Sequence, residues 1–178
     1  KALIHAREND TKVVFDAADP LAVERNREDF LFLLENHVDI AFANRREGEL
    51  LFGSSEPEES AQALSGLVQL GVIKDGSSGS LIVTGDGEFS RIEAIKADQV
   101  VDTTGAGDIY AAGFLHALCG GLSPLEAGIV ASFAATRIIG HTGARLGEKD
   151  VELIKAFIEE KSSAHRSSFQ RKEATLHT

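Results

Sequence analysis

Short apolar, β-branched runs alternate with helical patterns through the first 71 residues, and this order limits the folds open to the chain. Residues 12–17 (KVVFDA) and 38–44 (VDIAFAN) have the composition of strands. Helical patterns open at Pro20 and end near Asn36, run from Asn44 to Gly53, and run from Pro57 to Gly71. Such alternation with short joints predicts an α/β fold with helices on both faces of a mainly parallel sheet.

Glycine-rich turns change the pattern after residue 71. Residues 72–95 read as strand, turn, strand, turn, strand, which predicts a small β-meander. Helices are expected at about residues 105–120, 123–140 and 147–160. Residues 161–178 are polar and aperiodic, and we expect a disordered tail there. The sequence therefore predicts one folded domain over residues 1–160 and a tail over residues 161–178.

Composition and charge exclude several classes of function. The formal net charge of −10 disfavours a nucleic-acid partner, and no apolar run reaches the roughly 18 residues of a membrane span, so no membrane partner is expected. Cys119 is the single cysteine, which suits a reducing, cytoplasmic location, and its apolar surroundings predict burial. The chain opens on Lys1 within a helical pattern and has no methionine, so we expect a fragment or a truncated gene product.

The segment at residues 102–108 (DTTGAGD) leads directly into an apolar helical pattern. Gly105 and Gly107 let the backbone approach a ligand closely, and the free N–H groups of a helix start favour an anion such as phosphate. Asp108 would lie in the first turn, where it could accept a proton from a hydroxyl that attacks phosphate. In an alternative interpretation, Asp108 only complements the helix dipole and the glycines only form a tight turn.

The DTTGAGD segment followed by IYAAGFLHAL resembles the second signature of the PfkB-type carbohydrate kinases, which include ribokinase, fructokinase and adenosine kinase. Three other segments agree in order: Asn44-Arg45-Arg46-Glu47, residues 74–79 (KDGSSG) and residues 131–145 (ASFAATRIIGHTGAR). The resemblance implies a ribokinase-like, three-layer α/β/α fold, truncated at its N-terminus, with residues 1–160 as its C-terminal nucleotide-binding and catalytic part. Residues 15–44 look closer to the nucleoside-kinase branch than to ribokinase.

The resemblance implies a role for each matching residue. Asp108 would be the catalytic base, and the amides of Gly105, Ala106 and Gly107 would form an anion hole. Asn44 and Glu47 would help to position Mg²⁺ and ATP through water. Further nucleotide contacts would come from Lys74, Asp75, Gly76, Ser77, Ser78, Gly79 and Gly107, with Ser132 near the adenine. A monovalent cation such as K⁺ would bind near Asp102, Thr104, Ile138, His141 and Gly143.

Simpler interpretations stay open for several of these residues. Asn44 and Glu47 also match a capping box. Gly76 and Gly79 are common hairpin-turn residues, and Asp102 could hydrogen-bond its own turn. His141 could only complement the dipole of a helix C-terminus.

Two pairs of residues depart from the family's pattern. Arg45 and Arg46 stand where relatives are often acidic, so they would either contact phosphate or point to solvent. Lys74 stands where a small hydroxyl residue is common, and Asp75 follows it. An acidic side chain beside phosphates must face away if a nucleotide is to bind there.

The resemblance implies an ATP-dependent kinase that phosphorylates a hydroxyl of a small-molecule nucleoside, adenosine-like, or of a sugar as in ribokinase and fructokinase. The family's amino-terminal part, with most acceptor contacts and the lid, has no counterpart in this sequence. An inactive nucleotide-binding fragment is therefore the alternative, and a homodimer is expected only of a full-length form. We also expect an exposed sheet edge, because strands that would flank residues 12–43 are absent. The glycines come too late for a dinucleotide-binding fingerprint.

Overall fold

The computed structural model describes residues 1–176, with side chains described as far as residue 165. The chain divides into two compact units, Lys1–Ala94 and a second unit that begins at Ile95. The first unit contains the sheet and the second contains three helices.

The first unit is built on a five-stranded sheet in the order β1-β2-β3-β4-β5. Its strands are β1 (Val14–Asp16), β2 (Ile40–Asn44), β3 (Leu70–Lys74), β4 (Ser80–Thr84) and β5 (Phe89–Ile92). β1, β2 and β3 are parallel, and β4 and β5 continue the sheet antiparallel. The expected parallel strands and β-meander are therefore confirmed. The expected sheet edge is also present, because β1 pairs only with β2 within the described chain and Val14 is exposed.

This unit has five helices: α1 (Ala2–Glu8), α2 (Pro20–Arg25), α3 (Arg27–His37), α4 (Arg45–Phe52) and α5 (Pro57–Ser65). α1 precedes β1, and the other four lie between consecutive parallel strands. Leu34, Leu51 and Leu64 bring α3, α4 and α5 into one apolar core with the sheet. Apolar burial of this kind supplies the main stabilisation of such a unit. Gly71 of β3 allows the closest approach, because a Cβ there would lie 2.7 Å from Leu64 Cδ2.

The second unit contains α6 (Ala106–Cys119), α7 (Pro124–Ile138) and α8 (Glu148–Leu176). α6 and α7 pack closely at Gly113, where an added Cβ would lie 3.1 Å from Ala134 Cβ. α7 begins with a capping box in which Ser123 and Glu126 bond each other's backbone amides. The rings of Phe133 on α7 and Phe157 on α8 stack with centroids 4.4 Å apart.

Two helix boundaries differ from the sequence prediction. The pattern from Pro20 to Asn36 forms two helices, because the Asn26 side chain donates to the Ala22 carbonyl at 2.9 Å and ends α2 there. The pattern that begins at Pro57 ends at Ser65 rather than near Gly71. Gly71 was expected to follow a helix, but it lies inside β3 because its missing side chain makes room for Leu64.

Two further expectations from the sequence were wrong. Cys119 is exposed, because it is the last residue of α6 and lies beyond the buried Phe114 and Ala117. The segment expected as a disordered tail, residues 161–178, is helical as far as Leu176, and residues 177–178 lie outside the described part. The helical part of that segment has no glycine or proline, so nothing in it interrupts the helix. No helix within the described residues is long and apolar enough to cross a membrane.

Candidate active site

The carboxyl ends of the three parallel strands bring together Asp16, Asn44, Glu47 and Lys74, which we call the strand-end cluster. Asp16 ends β1, Asn44 ends β2 and Lys74 ends β3. Lys74 Nζ donates to Asp16 Oδ2 at 2.8 Å, and both side chains are mostly buried. Ligands of open α/β sheets gather at this edge of the strands. The ion pair therefore places a cation and a carboxylate where a polar ligand would bind.

Asn44 and Glu47 form a complete capping box at the start of α4. The backbone amide of Asn44 donates to Glu47 Oε2 at 2.7 Å, and the side-chain nitrogen of Asn44 donates to Glu47 Oε1 at 2.6 Å. In return, the backbone amide of Glu47 donates to Asn44 Oδ1. Glu47 is 1% exposed. Burial raises the pKa of Glu47, although the Asn44 amide and the charge of Lys74 act in the opposite direction. The simpler interpretation of this pair is confirmed, and a ligand role would be additional to it.

The strand-end cluster fits Mg²⁺ only as an ion that keeps most of its water. The described residues contain no group of three or more His, Cys, Asp or Glu that could hold a metal ion. Glu47 supplies one carboxylate beside the amide of Asn44. Mg²⁺ is commonly held by one or two carboxylates together with substrate phosphates and waters. The donor set therefore suits a metal that arrives with a nucleotide.

The glycine-rich segment from Lys74 to Gly79 forms a tight turn between β3 and β4. Gly76–Ser78 make one 3₁₀ turn, and Gly79 has φ +92°. An added Cβ at Gly79 would lie 1.9 Å from the Ile92 carbonyl oxygen, so the position requires glycine. Ser77 and Ser78 are exposed.

Asp75 and the two arginines that depart from the family's pattern have partners in the structure. Asp75 Oδ1 lies 3.5 Å from Arg45 Nη1, and Arg45 also donates to the Ser55 carbonyl. Arg46 donates to Glu49 at 2.7 Å. The negative charge of Asp75 is therefore compensated locally, which removes the main electrostatic objection to a nucleotide near this turn.

In the second unit, the turn at residues 102–108 and the start of α6 form a separate cluster, which we call the helix-start cluster. Gly105 is the N-cap with φ +78°. The Ala106 amide donates to the Thr103 carbonyl at 3.1 Å. The amides of Gly107 and Asp108 meet no acceptor among the described residues, as expected in a first helical turn. The Asp108 side chain is exposed beside them.

Asp102 holds the helix-start cluster to the segment that follows α7. Its Oδ1 accepts from the Thr104 amide and its Oδ2 accepts from the Gly143 amide, both at 2.9 Å. The hydrogen bonds from Thr104 and Gly143 lower the pKa of Asp102 below its usual range. The Ile139 carbonyl accepts from the amides of Val101 and Asp102. Asp102 therefore bonds its own turn and also a residue 41 positions away.

The residues expected around a monovalent cation are only partly brought together. Thr104 and Gly143 lie within hydrogen-bonding distance of Asp102. The Ile138 carbonyl accepts from the His141 amide at 3.1 Å. The His141 side chain instead approaches Asp150, with Nε2 3.0 Å from Oδ2. The cation site stays a prediction.

Ser132 lies on α7 next to the segment at residues 95–99. Its Oγ accepts from the Ile95 amide at 3.0 Å, and the residue is buried. A cavity of about 310 Å³ opens beside it, lined by Ile95, Lys96, Ala97, Asp98, Gln99, Phe133, Thr136, Arg137, Gly140 and His141. A larger cavity of about 530 Å³ lies in the first unit at the opposite, amino-terminal edge of the strands, near Lys12 and Asp39.

The sequence matches the family described as pfkB family carbohydrate kinase over residues 1–150. This chain belongs to the pfkB family. The segments through which the sequence resembles these kinases lie in the strand-end cluster and the helix-start cluster, as family membership would lead one to expect. The resemblance of the sequence to this family is therefore confirmed.

Several pfkB relatives are similar to this chain over most of its length. An uncharacterized sugar kinase of Archaeoglobus fulgidus is 36% identical over 135 residues, which cover 76% of this chain and 52% of the relative. The crystal structure of adenosine kinase from Sinorhizobium meliloti matches with a TM-score of 0.80 and 34% identity, covering 87% of this chain and 48% of that one. Ribokinase from Thermotoga maritima matches with a TM-score of 0.68 and 28% identity, covering 89% and 52%. The chain has the ribokinase-like α/β fold and spans about half the length of these relatives.

Sequence reasoning missed some residues that complete the two clusters of this pfkB chain. Asp16 was not expected to pair with Lys74, although a lysine at the end of a buried apolar strand signals the need for a negative partner. Arg137, Ala144 and Asp150 were also missed. Their contacts join residues on different elements, and a single sequence carries no local signal for them.

Proposed function

We propose that this chain is the nucleotide-binding and phosphoryl-transferring part of an ATP-dependent kinase. The kinase would transfer the γ-phosphate of ATP to a hydroxyl of a nucleoside or a sugar. The observation that carries the proposal is the start of α6, where amides without acceptors and an exposed carboxylate occur within one helical turn. Membership of the pfkB family supports the same reaction class.

The helix-start cluster would stabilise the transferred phosphoryl group. The amides of Gly105 and Gly107 would donate to its oxygens, and the dipole of α6 would favour the negative charge. The Ala106 amide would contribute only after leaving the Thr103 carbonyl, which it contacts at 3.1 Å. The Asp108 amide can take its place, because it also has no acceptor within the described chain.

Asp108 would act as the catalytic base. Its carboxylate would accept the proton of the attacking hydroxyl while the hydroxyl oxygen forms a bond to the γ-phosphorus. The bond from that phosphorus to the bridging oxygen would break, and its electron pair would leave with ADP. The exposure of the Asp108 side chain supports this role, because a base must reach its substrate.

The strand-end cluster would contribute the nucleotide contacts of the first unit. Lys74 would face the phosphates as a cation that Asp16 holds in place. Asn44 and Glu47 would position Mg²⁺ through water, and the metal would neutralise charge on the phosphates. The turn from Asp75 to Gly79 would border the nucleotide, with Ser77 and Ser78 as exposed hydroxyl donors.

In the second unit, Ser132 and the cavity beside it would lie near the adenine. Apolar Ile95 and Phe133 in the cavity lining support this role, because a base ring prefers an apolar and aromatic environment. The same unit would also contain a K⁺ site. It would be bordered by Asp102, Thr104, Gly143 and the carbonyls of Ile138 and His141.

The acceptor is proposed at the level of its class. The relatives described above include a sugar kinase and an adenosine kinase, so both classes share the reaction proposed here. An adenosine-like nucleoside is our first candidate, because residues 15–44 look closer to the nucleoside-kinase branch than to ribokinase and because an adenosine kinase is among the similar structures. A ribokinase-type or fructokinase-type sugar kinase is the second candidate.

The proposal is tested by incubating the protein with ATP, Mg²⁺ and K⁺ and, separately, adenosine, guanosine, ribose or fructose. Formation of the phosphorylated acceptor, measured by mass spectrometry, would support the proposal and would distinguish the two acceptor classes. ATP binding without transfer to any acceptor would instead favour the alternative of an inactive nucleotide-binding fragment. Absence of both binding and transfer would refute the proposal.

A further inference from the structure

A buried carboxylate joins the end of α7 to the start of α8. Asp150 lies in the first turn of α8 and is 5% exposed. Arg137 Nε donates to its Oδ1 at 3.0 Å, and His141 Nε2 lies 3.0 Å from its Oδ2. Both carboxylate oxygens therefore have a partner, which is what a buried carboxylate requires.

These contacts enclose one short segment of the chain. Arg137 and His141 flank the C-terminal end of α7, and Asp150 follows the start of α8. The nine residues 139–147 connect the two helices. The carboxylate on α8 contacts Arg137 on α7 and His141 in the segment, so it fixes the distance between the two ends of this segment and restricts its conformations.

Three residues of the connecting segment contact the helix-start cluster or the residue that precedes it. The Ile139 carbonyl accepts from the amides of Val101 and Asp102, and the Gly143 amide donates to Asp102 Oδ2. Ala144 packs against Gly105, since a Cβ added to Gly105 would lie 2.8 Å from Ala144 Cβ. The segment therefore restrains the turn that precedes the free amides of α6.

We propose that Asp150 is a positioning residue for phosphoryl transfer. Its contacts with Arg137 and His141 hold the segment at residues 139–147 in place. Gly143 of that segment holds Asp102, and Ala144 packs against Gly105. The segment thereby sets the geometry of the turn that precedes the proposed anion hole. This inference rests on the proposed function, because it assigns Asp150 a role in the reaction of that site.

The test compares Asp150→Asn and Asp150→Glu in the full chain. Asparagine at position 150 removes the negative charge that attracts Arg137 and His141, whereas glutamate retains that charge. Glu152→Gln is the matched control, because Glu152 lies on the same helix and pairs with Lys155 at 2.8 Å on an exposed surface. We expect Asp150→Asn to lower kcat about tenfold to a hundredfold while the KM for ATP changes less than about twofold, because small displacements of reacting groups have effects of this size. Asp150→Glu should recover part of the loss, and Glu152→Gln should resemble the wild type.

A double variant separates positioning from general destabilisation. If Asp150 acts through the contact between Gly143 and Asp102, adding Asp150→Asn to Asp102→Asn should lower kcat by less than about twofold more. Losses that multiply would overturn the inference, because they would show that Asp150 acts independently of Asp102.

Amide hydrogen exchange tests the contact without any reaction. Asp150→Asn should accelerate exchange of the Gly143 amide by about tenfold, while the amides in the middle of α6 keep their protection. Unchanged exchange at Gly143 would overturn this inference alone. Absence of phosphoryl transfer in the wild type would overturn the positioning role of Asp150 in the reaction, whatever the exchange shows, and absence of ATP binding as well would refute the proposed function.

Discussion

Gly79, at the end of the glycine-rich turn, offers a quantitative test of the packing in the first unit. Alanine there would have φ +92°, and its Cβ would lie 1.9 Å from the Ile92 carbonyl oxygen and 2.8 Å from the Ala94 nitrogen. Gly76 is a matched control in the same turn. Its φ is +55°, but an added Cβ would meet no described atom within 4 Å. Gly76→Ala therefore measures the strain of a positive φ alone, whereas Gly79→Ala adds steric overlap and a ψ of −130°, which lies outside the left-handed helical region.

The expected losses follow from these distances. A left-handed alanine costs about 1–2 kcal/mol, and alanine recovers about 0.4–1 kcal/mol by restricting the unfolded chain. Gly76→Ala should therefore lower the free energy of unfolding by about 1 kcal/mol or less. At Gly79, Ile92 must also move by more than about 1 Å to reach ordinary contact, which disturbs its pairing with Ser80. Overpacking adds about 1–3 kcal/mol to the strain of about 1 kcal/mol, so we expect a loss of about 2–4 kcal/mol.

Urea unfolding followed by circular dichroism measures both variants against the wild type. The m-value should stay constant, so that the midpoint reports stability alone. A Gly79→Ala variant that loses no more stability than Gly76→Ala would refute the argument, because the overlap with Ile92 would then cost nothing.

Three further predictions concern other parts of the two units. Ala18 has φ +59°, so Ala18→Gly should raise the free energy of unfolding by about 0.5–1 kcal/mol. The control Ala63→Gly, in the exposed middle of α5, should lower the free energy of unfolding by about 1 kcal/mol in the same urea assay. A double-mutant cycle of Lys74→Met and Asp16→Asn should give a coupling energy of about 1–2 kcal/mol, and a value near zero would show that the mostly buried ion pair contributes nothing. Because the pKa of Asp102 is lowered, its stabilisation is present above the ordinary aspartate pKa of about 3.9 and is lost as the pH falls through the lowered pKa. The melting temperatures of the wild type and Asp102→Asn should therefore differ at neutral pH and converge below about pH 4, and a constant difference would contradict this.

The sheet of the first unit could be predicted because local patterns and long-range packing agree there. Residues 38–44 are apolar and β-branched, and they form β2 in the middle of the parallel strands. Boundaries were less predictable where packing outweighed local preference. Gly71 has the local character of a helix stop, but the side chain of Leu64 occupies the space where its Cβ would be, and the residue belongs to a strand.

The candidate site was predictable where it consists of consecutive residues. The capping box of Asn44 and Glu47 and the left-handed Gly105 both follow from short sequence patterns. The contacts of Asp102 with Gly143 and of Asp150 with Arg137 join residues 41 and 13 positions apart. They depend on how helices and turns pack, and a single sequence contains no periodic signal for such pairs.

The most direct test of the account is the rate of phosphoryl transfer in Asp108→Asn. Asn keeps the size of the side chain but cannot accept the hydroxyl proton, and a positioned base contributes about 10²–10⁴-fold to the rate. We predict that kcat falls by this factor while the Kd for ATP changes less than about twofold, and that Asp29→Asn, an exposed substitution on α3, leaves both unchanged. A variant that keeps transferring phosphate within a few-fold of the wild-type rate would contradict the assignment of Asp108 as the base.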